Sequence, residues 1–118
     1  MHTNPGAPFR MAQIAASTAG ISQPKDCRGY EHLTVYLTAS AALSAGTLIV
    51  EEASWDPMAE AIYTGTWSQI ASYTLSSVFA STGGQSAQHL PVTHYANVRT
   101  RIGTTVVGGT LATELEGS

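Results

Sequence analysis

The segment Tyr30 to Thr38, YEHLTVYLT, alternates Leu33, Val35 and Leu37 with His32, Thr34 and Tyr36. Successive side chains of an extended chain point to opposite faces, so this pattern predicts a half-buried strand; a helix would space its apolar residues by three and four. ASAALSAG then reads as a connection ending at Gly46, and GTLIVEEAS as a second strand centred on Leu48 to Val50, closed by Trp55 and the Asp56-Pro57 breaker. Met58 to Ile62 has the composition of a helical turn, and Gly65 to Ile70 reads as a strand carrying Trp67. In SYTLSSVFA, the residues Tyr73, Leu75, Val78 and Phe79 fall at further strand positions. Gly83-Gly84 marks a loop, a short strand interrupted by Pro91 is expected near His89 to Val92, a longer one runs from Tyr95 to Ile102, and GTLATELEG is the last.

Short strands separated by regularly spaced turn signals, with no long helix, define an all-β chain built as an antiparallel β-sandwich or barrel. The pattern is missing before Arg28. Met1 to Arg28 contains Pro5, Pro8 and Pro24 and keeps no sustained period, so it reads as an extended N-terminal arm in which Ala12 to Ala16 admits a short helix. The expected organisation is therefore an arm over 1–28 and a β-sandwich domain over 29–118.

In Tyr95 to Ile102, the residues Ala96, Val98, Thr100 and Ile102 share one face while Asn97, Arg99 and Arg101 share the other. In the last strand, Leu111, Thr113 and Leu115 oppose Ala112, Glu114 and Glu116. Pairing these strands as a hairpin across TTVVGG would set the arginines and glutamates side by side on an outer face, where opposite charges contribute roughly 0.2–1 kcal/mol per pair and help fix register. Two readings stand: a solvated cross-strand ladder, or a pair of arginine forks that also reach a partner's carboxylates.

Composition narrows the function. The 118 residues are 43% hydrophobic, a globular value, but only 11% are charged against a typical ~25%, so Ser, Thr, Gln and Gly keep the surface wet. A surface of small neutral groups loses little side-chain entropy when a partner covers it, which suits permanent contacts. A formal charge of −3 with five Lys and Arg argues against nucleic acid as a direct partner, because non-specific affinity rests on phosphate neutralisation. Cys27 is the single cysteine, so no internal disulfide is available, and burial is its expected role. Met1 to Gly20 lacks the features of a signal peptide, and no stretch reaches the ~20 apolar residues that span a bilayer; the expectation is synthesis in a cytoplasm and no membrane partner.

No constellation for chemistry emerges. His89 and His94 flank Pro91 at a spacing that does not share one strand face, and no Cys or acidic residue completes a zinc set. Glu51, Glu52, Asp56 and Glu60 read as the solvated rim of a turn, without the dense Asp, Asn and Gly spacing of a calcium loop. Nucleophile and phosphate-loop motifs are missing, so the expectation is a non-enzymatic chain with no catalytic residue, metal or cofactor. Trp55, Tyr63 and Trp67 are read either as core or corner fillers or as aromatic platforms for sugar rings.

The order of GTLIVEEASWDP, GTWSQI, YANVRTRI and GGTLATELEG resembles that of small β-sandwich proteins of tailed bacteriophage virions over Tyr30 to Gly117. The short form with an arm is most similar to a head decoration, or cement, protein. The resemblance implies a jelly-roll-like sandwich and a structural role on the capsid exterior, with the major capsid protein as partner and a homo-oligomer, dimer or trimer, on the shell. The contact residues expected are Pro5, Pro8, Phe9, Arg10, Met11 and Ile14 of the arm, with Arg99 and Arg101 of the sandwich. The alternative is a carbohydrate- or receptor-binding module of a phage tail or fibre, using Trp55, Tyr63 and Trp67.

Overall fold

The computed structural model describes residues 9–16, 20–22, 24–56, 61–62 and 66–118. In chain order the elements are β1 (Phe9–Ala16), β2 (Lys25–Asp26), β3 (Leu33–Ala39), β4 (Ala45–Ala53), β5 (Trp55–Asp56), β6 (Ala61–Ile62), β7 (Ser68–Thr74), α1 (Leu75–Val78), β8 (Gly84–His89), β9 (Asn97–Val107) and β10 (Leu111–Gly117). Two four-stranded antiparallel sheets face each other: sheet A in the order β1-β10-β3-β8 and sheet B in the order β2-β9-β4-β7; β5 and β6 form a separate two-stranded pair.

β1 pairs with β10, β2 with β9, β3 with β8 and β4 with β7, so the first half of the chain meets the second half in reverse order. That is one long antiparallel ribbon, rolled until β10 also meets β3 and β9 also meets β4. The result is jelly-roll connectivity, the sandwich type that the resemblance implied.

The core lies between the sheets and follows the alternation in the sequence. Leu33, Val35, Leu37, Leu111 and Leu115 point inward from sheet A, and Leu48, Val50, Val98 and Ile102 from sheet B. Thr100 and Thr113 are buried among them, and their hydroxyls meet across the core at 3.2 Å, satisfying two polar groups that would otherwise be costly to bury. Tyr30, Leu43, Leu75, Phe79, Leu90 and Tyr95 belong to the same cluster.

Several local expectations change. β9 and β10 do not form a hairpin: β9 lies in sheet B and β10 in sheet A. Alternation cannot distinguish neighbours in one sheet from strands facing each other across a core, because both arrangements point the same residues inward. Within the segment read as an arm, the described parts are paired with the sandwich: Phe9–Ala16 lies along β10, with Ala12 to Ala16 in a strand rather than a helix, and Lys25–Asp26 lies along β9. Ala-rich β1 carries a weak apolar period, and its place rests on backbone pairing that the sequence pattern does not register. Ala61–Ile62 is a strand where a helical turn was expected, and Met58 to Glu60 lie outside the described residues. Leu75–Val78 is a helical turn instead of a strand, because Leu75 and Phe79, four apart, are both buried on one side of it. The strand expected near His89 to Val92 is β8 at Gly84–His89, whose core-side residues Ser86 and Gln88 are polar and so give no alternating signal.

Candidate protein-docking site on the outer face of sheet B

β9 runs in the interior of sheet B between β2 and β4, which fixes its backbone on both sides. Its odd-numbered residues Arg99 and Arg101 face away from the core, since Val98, Thr100 and Ile102 occupy the inner positions. On β4, Glu51 pairs with Arg99 and Ile49 with Arg101, which sets the one carboxylate directly across from one arginine and diagonally from the other.

The carboxylate is shared. Arg99 Nε donates a hydrogen bond to Glu51 Oε1 at 3.0 Å, and Arg101 Nε lies 3.1 Å from Oε2. The Arg99 guanidinium also lies over the indole of Trp67, 4.0 Å from the ring centroid, within the range of a cation–π contact. The Glu51 side chain retains only 8% of its exposure, against 20% for Arg99 and 33% for Arg101. Gly103, next on the outer face of β9, leaves room for Ile49: a Cβ there would sit 2.7 Å from Ile49 Cδ1.

Two guanidiniums on one carboxylate leave a net charge of +1. Each arginine uses its Nε edge, and among the described residues no acceptor engages the terminal Nη groups of either. Glu51 therefore holds two forks in place on a rigid strand through their Nε edges, and no described residue engages their terminal donor pairs.

This arrangement corrects two expectations. Arg99 and Arg101 do not face Glu114 and Glu116, which lie in the other sheet, where Glu116 accepts a hydrogen bond from the Tyr36 hydroxyl at 2.9 Å. Glu51 does not line a solvated turn; it is a covered strand residue. The available signal was its phase, since Thr47, Ile49 and Glu51 share the outer face of β4, but recognising its partners required knowing that β4 lies beside β9.

The other expected contact residues separate into groups. Pro5 and Pro8 lie outside the described residues. Phe9, Arg10 and Met11 have backbones paired with Gly117, Glu116 and Leu115 of β10, and Ile14 falls where the register shifts between Ala12 and Ala15. For the sugar platform, Trp55 is a backbone partner of Ile62, Tyr63 lies outside the described residues, and one face of Trp67 is taken by Arg99. His89 Nδ1 lies 2.9 Å from the Thr34 hydroxyl and His94 is exposed on a loop. Among the described residues no three His, Cys, Asp or Glu side chains group closely enough to share a metal ion.

Cys27 is fully buried, and burial pushes its thiol up to about 12. A group held so firmly protonated is a packing residue, not a nucleophile. Among the described residues, the buried Asn97 Oδ1 has no hydrogen-bond partner, while the same side chain's amide donates to the Ala53 carbonyl at 3.4 Å.

Strand order and packing define a jelly-roll β-sandwich. Among solved structures, the fold is similar to that of the SPBc2 prophage-derived protein YomS, with a TM-score of 0.55 and 10% identity over 94% of this chain and 95% of that one. Lower TM-scores relate it to two further proteins. One is the K1 cleaved adhesin domain of Lys-gingipain from Porphyromonas gingivalis W83, at 0.49 and 16% identity over 85% of this chain and 62% of that one. The other is the disulfide-linked pilus of Bacillus endospore appendages, at 0.48 and 16% identity over 95% and 87% of the two chains. No protein-family model and no curated protein matches the sequence. In the described residues, no helix is long and apolar enough to cross a membrane.

Proposed function

We propose that this chain is a structural protein of a tailed-phage virion that decorates the outside of the capsid and bridges subunits of the major capsid protein, without catalytic activity or a cofactor. The observation that carries the reading is the Arg99–Glu51–Arg101 cluster: two pre-oriented forks, on an interior strand, with their Nη groups unengaged by any described residue. On an otherwise weakly charged surface, such a cluster suits a carboxylate of a protein partner, because the forks lose little freedom on binding. The phage setting is supported by the sequence resemblance and by a sandwich shared along nearly its full length with a prophage-derived protein. Arg99 occupies one face of Trp67, which leaves a sugar ring only the other and weighs against the sugar-binding alternative.

The test is co-sedimentation with capsids assembled without this protein, over a range of salt. The wild type is expected to pellet saturably, and Arg101→Ala, which removes the more exposed fork, to bind about tenfold or more weakly, with a shallower salt dependence. Absence of capsid binding by the folded wild type would overturn the role, and an unchanged isotherm for Arg101→Ala would remove this face from it.

A further inference from the structure

Four strands end the two sheets, and three of them are blunted in recognisable ways. β1 carries Arg10 and a register shift between Ala12 and Ala15. β2 is two residues long and both are charged, Lys25 and Asp26. In β7 the register shifts at Ile70, which interrupts its ladder with β4. Short length, charge and bulges are the usual devices by which sheet edges avoid pairing with other chains.

β8 has none of them. Gly84–His89 pairs with β3 through six consecutive residues without a shift, contains no Lys, Arg, Asp, Glu or Pro, and among the described residues has no strand on its other side. Its side chains are tied back into the sheet: Gln85 Nε2 donates to the Thr38 hydroxyl at 3.4 Å, His89 meets Thr34 at 2.9 Å, and Gln88 Nε2 donates to the Ser86 hydroxyl at 2.8 Å. Among the described residues, nothing pairs with the row of backbone donors and acceptors on its outer side.

We infer that β8 is a self-association edge, pairing antiparallel with β8 of a second copy of this chain so that sheet A continues from one subunit into the next. Charge points to the second copy as occupant. In a two-fold pairing each residue meets a residue of the same strand, so a charged edge would set like charges near one another, and this edge has no fixed charge to do so. Keeping the core side of both copies on one face requires the two-fold axis to pass through a residue. Centred on Ala87, it uses only Gln85 to His89, excludes Gly84 with its φ of +114°, and sets Ser86 against Gln88 and Gln85 against His89.

The experiment is sedimentation equilibrium of the full chain without capsids, with hydrogen exchange at low and high concentration. Ala87 is exposed on the outer face, so Ala87→Lys places two like charges at the two-fold centre without disturbing the core. Thr105→Lys, exposed on β9, adds the same charge away from the edge. The wild type and Thr105→Lys are expected to dimerise with slowed exchange at Gln85 to His89, and Ala87→Lys to dimerise about fivefold or more weakly. Gln85→Lys gives the same reading if Ala87→Lys does not fold. A wild type that stays monomeric at about 1 mM overturns the proposal. So does a dimer indifferent to both edge lysines, or protection of β8 that appears only with a different protein's strand.

Discussion

Replacing Glu51 by Gln keeps the shape of the outer-face cluster and removes the charge that organises it. The carboxylate is almost covered, so its hydrogen bond with Arg99 carries the 1.5–3 kcal/mol typical of roughly well-shielded charged groups, discounted here because the arginine is 20% exposed. The Arg101 contact, one-third exposed on the arginine side, adds at most about 1 kcal/mol. Two guanidiniums left beside a neutral amide also repel each other. The expected loss is about 2–3 kcal/mol, which for a chain of this length lowers Tm by roughly 8–12 °C.

Urea unfolding in low and high salt is the assay. Most of the loss should persist at about 1 M NaCl, because the carboxylate is shielded from solvent ions. Arg99→Ala should couple to Glu51→Gln more strongly than Arg101→Ala in a double-mutant cycle, since Arg99 is the more covered and also stacks on Trp67. A loss under about 0.5 kcal/mol for Glu51→Gln, or one abolished by salt, would refute the reasoning and return the cluster to a solvated ladder.

Cys27 titrates near 9.0 when exposed and at about 12 in the fold, so the unfolded chain loses its proton first as pH rises. The native state then binds more protons than the unfolded one, and stability present below pH 9 declines by up to about 1.4 kcal/mol per pH unit above it. Urea unfolding of wild type and Cys27→Ala from pH 8 to about pH 11 should show the wild type losing stability more steeply, whereas parallel curves would contradict the burial of the thiol. Gly108, at φ +108° in the crossover from β9 to β10, would place a Cβ 2.8 Å from the Ala42 carbonyl oxygen. Gly108→Ala should cost about 2–3 kcal/mol, and Gly84→Ala, at φ +114° with nothing within 4 Å of the new atom, about 1 kcal/mol; equal thermal shifts would deny the steric part.

The strands that were legible in the sequence are those buried on one face by large aliphatics: β3, β4, β9 and β10 each alternate, and each supplies core residues. β1 and β8 were not legible, because edge strands are held by backbone pairing and these carry mainly small or polar side chains. Arg99 and Arg101 were legible as an outward pair, but their partner was not. Glu114 and Glu116 have the right phase and lie close in sequence, whereas Glu51, 48 residues from Arg99, becomes its neighbour only after the ribbon rolls. Alternation fixes which way a residue points; the closure of the sandwich decides what it meets.

The two proposed surfaces meet in one geometric consequence. A two-fold axis perpendicular to sheet A leaves the outer faces of sheet B in both copies on the same side of the pair, so dimerisation through β8 presents two Arg99–Arg101 clusters to one underlying surface. If each cluster binds a capsid subunit weakly by itself, then on a lattice of repeated subunits the second engagement becomes intramolecular and multiplies retention by about a hundredfold or more when the spacing matches. Ala87→Lys, whose arginines are intact, should therefore lose most of its retention on capsids while keeping the one-site affinity measured on isolated capsid subunits. Arg101→Ala should lower both. Equal capsid retention by wild type and a monomeric Ala87→Lys would show that each copy binds alone, and would separate the β8 edge from the work of sheet B.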